Sequence, residues 1–301
     1  MYELVKFSSE GVDLRGRFYR LASAHRAPCI IMAHGTTATI SMVAEDYAAA
    51  FHRAGMSVLL YDHINFGSSG GVMRQEINPW VQARGYRDAV AYIRQRSDVD
   101  PDRIAIWGDS FSAMEVLVVG ALIEGLAGIV AQIPVCGIEL PNINPSTEIF
   151  DLLKKTFERG DVSGTPETTE GPMPVVSFDQ VGSPSLLKPI QAFKWFIEYV
   201  GRYDSEWLNI VTRVMPLTEV PFSPYLTAPF ITAPTLMMAG RNDEMVHCNP
   251  VVQQAVFDKI IARKEFYEIE GGHFGLLYSP SKTFDEAAAR QIKFLTGLFE
   301  I

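Results

Sequence analysis

The 301-residue chain is short of cysteine: Cys29, Cys136 and Cys248 are too few and too scattered to frame disulfides, so free thiols in a reducing compartment are expected. It also lacks any run of basic residues. With a net charge of -9 and a pI near 5.2 it has none of the clustered Lys and Arg that a nucleic acid or an anionic membrane surface requires, and neither is expected as a partner. No apolar stretch reaches about 18 residues. The start, Met1-Tyr2-Glu3-Leu4-Val5-Lys6-Phe7, alternates like a strand where a secretory signal would place a basic segment before an apolar one. These absences point to a soluble cytoplasmic protein. Two kinds of chemistry drop out as well. The tightest pairing of metal-binding residue types, Asp243 with His247, lacks the repeated spacing of a metal site. No glycine loop of the phosphate-binding kind opens a helix, so no metal, nucleotide or other cofactor is expected.

What is present is apolar substance and one distinctive serine. A chain of this length with 48% hydrophobic residues can bury roughly three quarters of its unfolded surface, enough for one large core and an elaboration. Within it, Ile104-Ala105-Ile106-Trp107-Gly108-Asp109-Ser110-Phe111-Ser112-Ala113 reads as a short apolar strand turning at once into an apolar helix, with Ser110 at the turn. That is the pattern of a nucleophile elbow. Small residues at Gly108 and Ser112 let strand and helix approach, which pushes the Ser110 hydroxyl outward. The helix directs its N-terminal amides at whatever the hydroxyl attacks, so the Phe111 amide is placed to stabilise an oxyanion.

Serine alone is a poor nucleophile and needs a base held by an acid. Thr235-Leu236-Met237-Met238-Ala239 reads as a buried strand, and Asp243 follows it by a few residues. Glu265 to Ile269 reads as a further strand running into Gly271-Gly272-His273, which places an imidazole just past a strand end. His273 is therefore the expected base and Asp243 the expected acid, with Glu244 as the rival acid. His247 and His63 are rival bases, and both are read as surface or supporting groups.

At this point the chain resembles the α/β-hydrolase superfamily, over nearly all its length apart from a central insertion. Ala33-His34-Gly35-Thr36-Thr37 is similar to that family's oxyanion loop, and Tyr61-Asp62 with Gly67-Ser68-Ser69-Gly70-Gly71 to the loop after its next strand. Asp100-Pro101-Asp102-Arg103 is similar to the turn before the elbow strand in the dienelactone-hydrolase-like and prolyl-peptidase-like branches. Serine, aspartate and histidine also come in the order of that family. The resemblance implies Thr36 as the second oxyanion amide, with Thr37 close behind, and His34 as a group that orders the loop. Two departures stand out: Ser112 replaces the usual glycine, and His63-Ile64-Asn65 replaces a common Arg-Gly pair. The wide separation of Asp243 and His273 is unlike the GDSL lipases, and a serine at the elbow centre is unlike the haloalkane dehalogenases.

The expected fold is α/β: a mainly parallel central sheet covered by helices on both faces, with a helical cap inserted after the sixth strand. Residues 1–134 and 234–301 would form the catalytic core and 135–233 the cap. Thirteen of the 18 prolines fall between Pro134 and Pro234, which no continuous sheet or single long helix accommodates. Ile149, Phe150, Leu153 and Phe157 form one helical stripe there, and 161–174 reads as an exposed loop. Ile190 to Tyr203 carries aromatics nearly all round, of which Phe193, Trp195, Phe196 and Tyr199 are candidates for an acyl pocket as well as for docking the cap. The expected activity is hydrolysis of a carboxylic ester or thioester of a small molecule through a Ser110 acyl-enzyme. Acyl transfer to an alcohol or amine, as in polyketide-type metabolism, is the first alternative. Peptidase activity and a silent binding protein of the same fold complete the set, and homo-oligomerisation is left open.

Overall fold

The structure is a computed structural model that describes residues 1–23, 25–202 and 205–301. It opens with a hairpin, β1 (Glu3–Ser9) and β2 (Val12–Tyr19), joined through Glu10 and Gly11. Both turn residues have positive φ, 48° and 75°, as a two-residue turn matching the strands' twist requires. Next come β3 (Ala27–Ala33), α1 (Val43–Arg53) and β4 (Ser57–Tyr61). Every residue of β3 and β4 is buried, so these apolar runs are covered on both faces.

A two-residue strand, β5 (Glu76–Ile77), leads to α2 (Pro79–Arg94), which starts where the Asn78 side chain caps the amides of Trp80 and Val81 with Pro79 in its first turn. The chain then runs through β6 (Val99–Asp109), α3 (Phe111–Leu122) and β7 (Gly128–Gln132). The Asp100–Arg103 turn lies inside β6 as an irregularity: Val99 pairs with Ala27, and pairing resumes between Ile104 and Cys29. Beyond it the side chains alternate. Ile104 and Ile106 join a core beneath α2 and α3, while Ala105 and Trp107 join the opposite core with Tyr47, Phe51, Phe284 and Phe294. The buried Trp107 indole donates to Gln291 at 2.6 Å.

The stretch between β7 and the next core strand holds α4 (Thr147–Arg159), β8 (Thr169–Met173), α5 (Ile190–Arg202), β9 (Val211–Val214) and α6 (Pro224–Thr227). It is therefore not wholly helical. The strands β8 and β9 join β5 in a small sheet of order β5-β9-β8, and part of the expected 161–174 loop is strand. Thr169-Glu170-Gly171-Pro172-Met173 has no apolar alternation, so its pairing arises from contact with Val211–Val214 and not from its own pattern. The α4 stripe buries Leu153 and Phe157, and Arg84 ties down the end of α4 by donating to the carbonyls of Thr156, Phe157 and Gly160. The expected aromatic run extended to Tyr203, which lies outside the described residues.

The core closes with β10 (Thr235–Gly240), α7 (Pro250–Lys259), β11 (Lys264–Ile269), the short α8 (His273–Leu276) and α9 (Lys282–Phe299). Its eight-stranded sheet has the order β1-β2-β4-β3-β6-β7-β10-β11 and is parallel from β4 through β11. The carboxyl ends of β6, β10 and β11 share one edge, where ligands bind in sheets of this kind.

Candidate active site

Ser110 has φ 55° and ψ -112°, a backbone strained for a residue with a side chain and held by the surrounding fold. Its amide donates to Gln132 at 2.9 Å. Crowding explains the glycine two residues earlier: a Cβ on Gly108 would lie 2.3 Å from the Ser112 carbonyl oxygen. Directly after Ser110, α3 begins, and its first-turn amides, Phe111 among them, have no intrahelical acceptor.

His273 begins α8 just past β11, on a turn where Gly271 adopts φ 127°. Its Nε2 lies 2.9 Å from Ser110 Oγ and its Nδ1 lies 2.8 Å from Asp243 Oδ2. With the proton on Nδ1 the ring donates to Asp243 and accepts from the serine hydroxyl. Asp243 is fixed in turn, since its Oδ1 accepts the Met245 amide at 2.9 Å. The rival acid holds the same residue elsewhere: Glu244 Oε2 accepts the backbone N–H of His273. His247 lies before α7 and away from this chain of contacts, and its carbonyl accepts the Gly137 amide.

Behind the elbow lies a buried polar cluster. The Ser112 hydroxyl donates to the His34 carbonyl and lies 3.2 Å from His63 Nε2, which is 3.3 Å from Glu115 Oε2. The His63 amide donates to His34 Nε2, and His34 Nδ1 faces the Gly35 carbonyl at 2.9 Å. Burial pushes the His63 imidazole well below its usual pKa and the Glu115 carboxyl well above its own, so it favours the neutral form of both. His34 is also pushed down by burial, with Asp62 opposing. His63, expected at the surface or in support, is fully buried and joins the elbow helix to the loop after β3. The two departures, Ser112 and His63, both fall in this clamp, together with the loop-ordering His34. Asp109 is a further buried carboxyl, pushed up to about 7 by burial, while His273 and the amides of Gly35 and Asp109 itself favour its anion.

Ser110 and His273 open on a narrow cavity of about 20 Å³, well below the size of a ligand-filled site, lined also by Thr36, Ala38, Leu187, Trp195, Phe196, Met245, Phe274 and Leu277. Of the four expected pocket aromatics, Trp195 and Phe196 line it. Tyr199 stacks behind Trp195 and its hydroxyl accepts the Ser279 amide, while Phe193 packs on Phe178. Thr36 faces the cavity, whereas Thr37 is buried at φ 60°. A larger concavity lies between the β1–β2 hairpin and the loop after β4, lined by Arg15, Arg17, Ile40, Asp62 and Ser68, and holds none of Ser110, His273 or Asp243.

No family model matches the chain. It is 27% identical to the thiohydrolase aneE of Aspergillus aculeatus over 98% of this chain and 92% of that protein. It is 28% identical to the acyltransferase drtE of Aspergillus calidoustus over 97% of this chain and 94% of that one. Among solved structures, the alpha/beta hydrolase GrgF from Penicillium sp. sh18 superposes with a TM-score of 0.72 at 22% identity, covering all of both chains.

Proposed function

We propose that this chain, whose fold is that of the α/β hydrolases, is a serine hydrolase that cleaves a small-molecule ester or thioester through an acyl-enzyme on Ser110. The run of contacts from Ser110 through His273 to Asp243 carries this reading. Ser110 Oγ attacks the acyl carbon while His273 Nε2 takes its proton, and Asp243 stabilises the imidazolium. The amides of Phe111 and Thr36 receive the oxyanion. His273 then returns the proton to the departing alcohol or thiol, and a second nucleophile releases the acyl group by the same steps in reverse. In this reading 1–134 and 234–301 form the catalytic core, and 135–233 forms a cap that supplies Leu187, Trp195 and Phe196 to the cavity.

Acyl transfer to an alcohol or amine is a second outcome of the same intermediate. The apolar cavity wall supports it by disfavouring water, as does likeness to a protein named as an acyltransferase. The net charge of -9 speaks for a small molecule over a nucleic acid, and among the described residues no helix is long and apolar enough to cross a membrane. Three buried free cysteines suit a reducing compartment such as the cytoplasm.

A fluorophosphonate probe together with p-nitrophenyl esters, an acyl thioester and an aminoacyl anilide tests the reading. Wild type should label and turn over ester or thioester, and Ser110→Ala should lose labelling and on the order of 10⁴-fold in turnover. Near-wild-type turnover in Ser110→Ala would sink the assignment.

A further inference from the structure

Cys248 is brought to the far side of the histidine from Ser110: its Sγ lies 3.5 Å from His273 Nδ1, and Nδ1 lies 2.8 Å from Asp243 Oδ2. The three donor atoms all fall within 4.8 Å of one another. A tetrahedral zinc ion with bonds of about 2.3 Å to sulfur and about 2.0 Å to nitrogen separates those two ligands by roughly 3.5 Å. Sulfur and nitrogen already have that spacing; the carboxylate oxygen must withdraw from the nitrogen by about half an ångström and turn toward the sulfur. The three donor side chains are buried, beneath a loop in which Asp243, Glu244, Met245 and His247 are partly exposed and Val246 lies at the outer surface.

We propose that Asp243, Cys248 and His273 bind a thiolate-seeking divalent cation of the Zn²⁺ type, and that binding switches the enzyme off. The ion forms bonds to Cys248 Sγ, His273 Nδ1 and an Asp243 oxygen. The thiol proton passes to solvent, and the imidazole proton relocates from Nδ1 to Nε2, so nothing is oxidised or reduced. An Nε2 that carries the proton cannot accept one from Ser110. Binding rests on the donor set alone, while the loss of activity rests on the catalytic reading above. Mg²⁺ prefers oxygen ligands and would not compete for a thiolate.

Titration with Co²⁺ alone should produce a thiolate-to-metal charge-transfer band in the near ultraviolet for wild type, and none for Cys248→Ala or Cys248→Ser. Zn²⁺ should inhibit wild-type turnover, a chelator should restore it, and Mg²⁺ should have no effect. Both Cys248 variants should keep basal turnover and need at least about 10-fold more Zn²⁺ for the same inhibition. A missing Co²⁺ band in wild type, or equal Zn²⁺ sensitivity with and without Cys248, overturns the proposal. Because the band does not depend on turnover, a wild-type protein that shows the Cys248-dependent band but no hydrolysis overturns the catalytic reading and supports the site.

Discussion

The Glu244 carboxylate accepts a 2.7 Å hydrogen bond from the backbone N–H of His273. Its neighbour Asp243 faces the ring of the same residue, so two adjacent acids hold one histidine, one by its main chain and one by its imidazole. Only the ring contact can stabilise an imidazolium directly. Asp243→Asn should therefore lower kcat by about 10³- to 10⁴-fold, while Glu244→Gln, which keeps an acceptor oxygen, should cost less than about 10-fold. Steady-state kinetics on an activated ester decide this, and a larger loss in Glu244→Gln would reverse the assignment of the acid.

In the proposed mechanism Ser112 supports the loop that carries Thr36, because its hydroxyl ties α3 to the His34 carbonyl two residues before Thr36. Ser112→Gly removes that tie. A net hydrogen bond is worth about 0.5–1.5 kcal/mol, so Ser112→Gly should reduce kcat several-fold with KM little changed. Equal losses for a substrate that forms an oxyanion and for binding of a neutral analogue would instead indicate general loosening of the site.

In the proposed reading the aromatics of α5 make a prediction about chain length. Each methylene buried against these rings contributes about 0.8 kcal/mol, so kcat/KM should rise a few-fold per carbon for as long as added carbons find apolar contact there. Trp195→Leu and Phe196→Leu should move the optimum, while Phe193→Ala, which packs on Phe178 away from the cavity, should not. Measurements along a C2 to C12 ester series test this, with hydrolysis of acetate preserved in all three. A flat profile common to every variant would leave these rings with a packing role only.

Asp109 gives a pH signature in stability. An unfolded aspartate titrates near 3.9, whereas burial holds Asp109 at about 7 in the fold. Between those values the folded protein binds more protons than the unfolded chain, so this group makes stability fall as pH rises from about 4 to about 7. Asp109→Asn removes that loss. The variant should gain on wild type by a few kcal/mol at pH 8, with the advantage vanishing near pH 4, as read from denaturant midpoints. An advantage independent of pH would show that the carboxyl titrates normally.

Much of this protein follows from local pattern. Apolar runs bounded by turn residues define β3, β4, β6, β7 and β10, and each of Ser110, Asp243 and His273 sits just beyond a strand end. Once the sheet is parallel, those three positions share an edge, which is why a linear reading could pair residues 30 and 163 apart. Side-chain facing and chance proximity are different in kind. Whether Tyr199 or Phe196 meets the cavity depends on how α5 rolls against α8, and both are apolar aromatics on the same helix. The β8–β9 pairing has no periodic pattern to announce it. His63 meets Glu115, and Cys248 meets His273, only because separate loops pack into one buried volume. Sequence spacing therefore determined the strand ends and the order of Ser110, Asp243 and His273, whereas the clamp behind the elbow, the thiol beside the histidine and the walls of the cavity were decided by tertiary packing, which brings together residues with no local preference for one another.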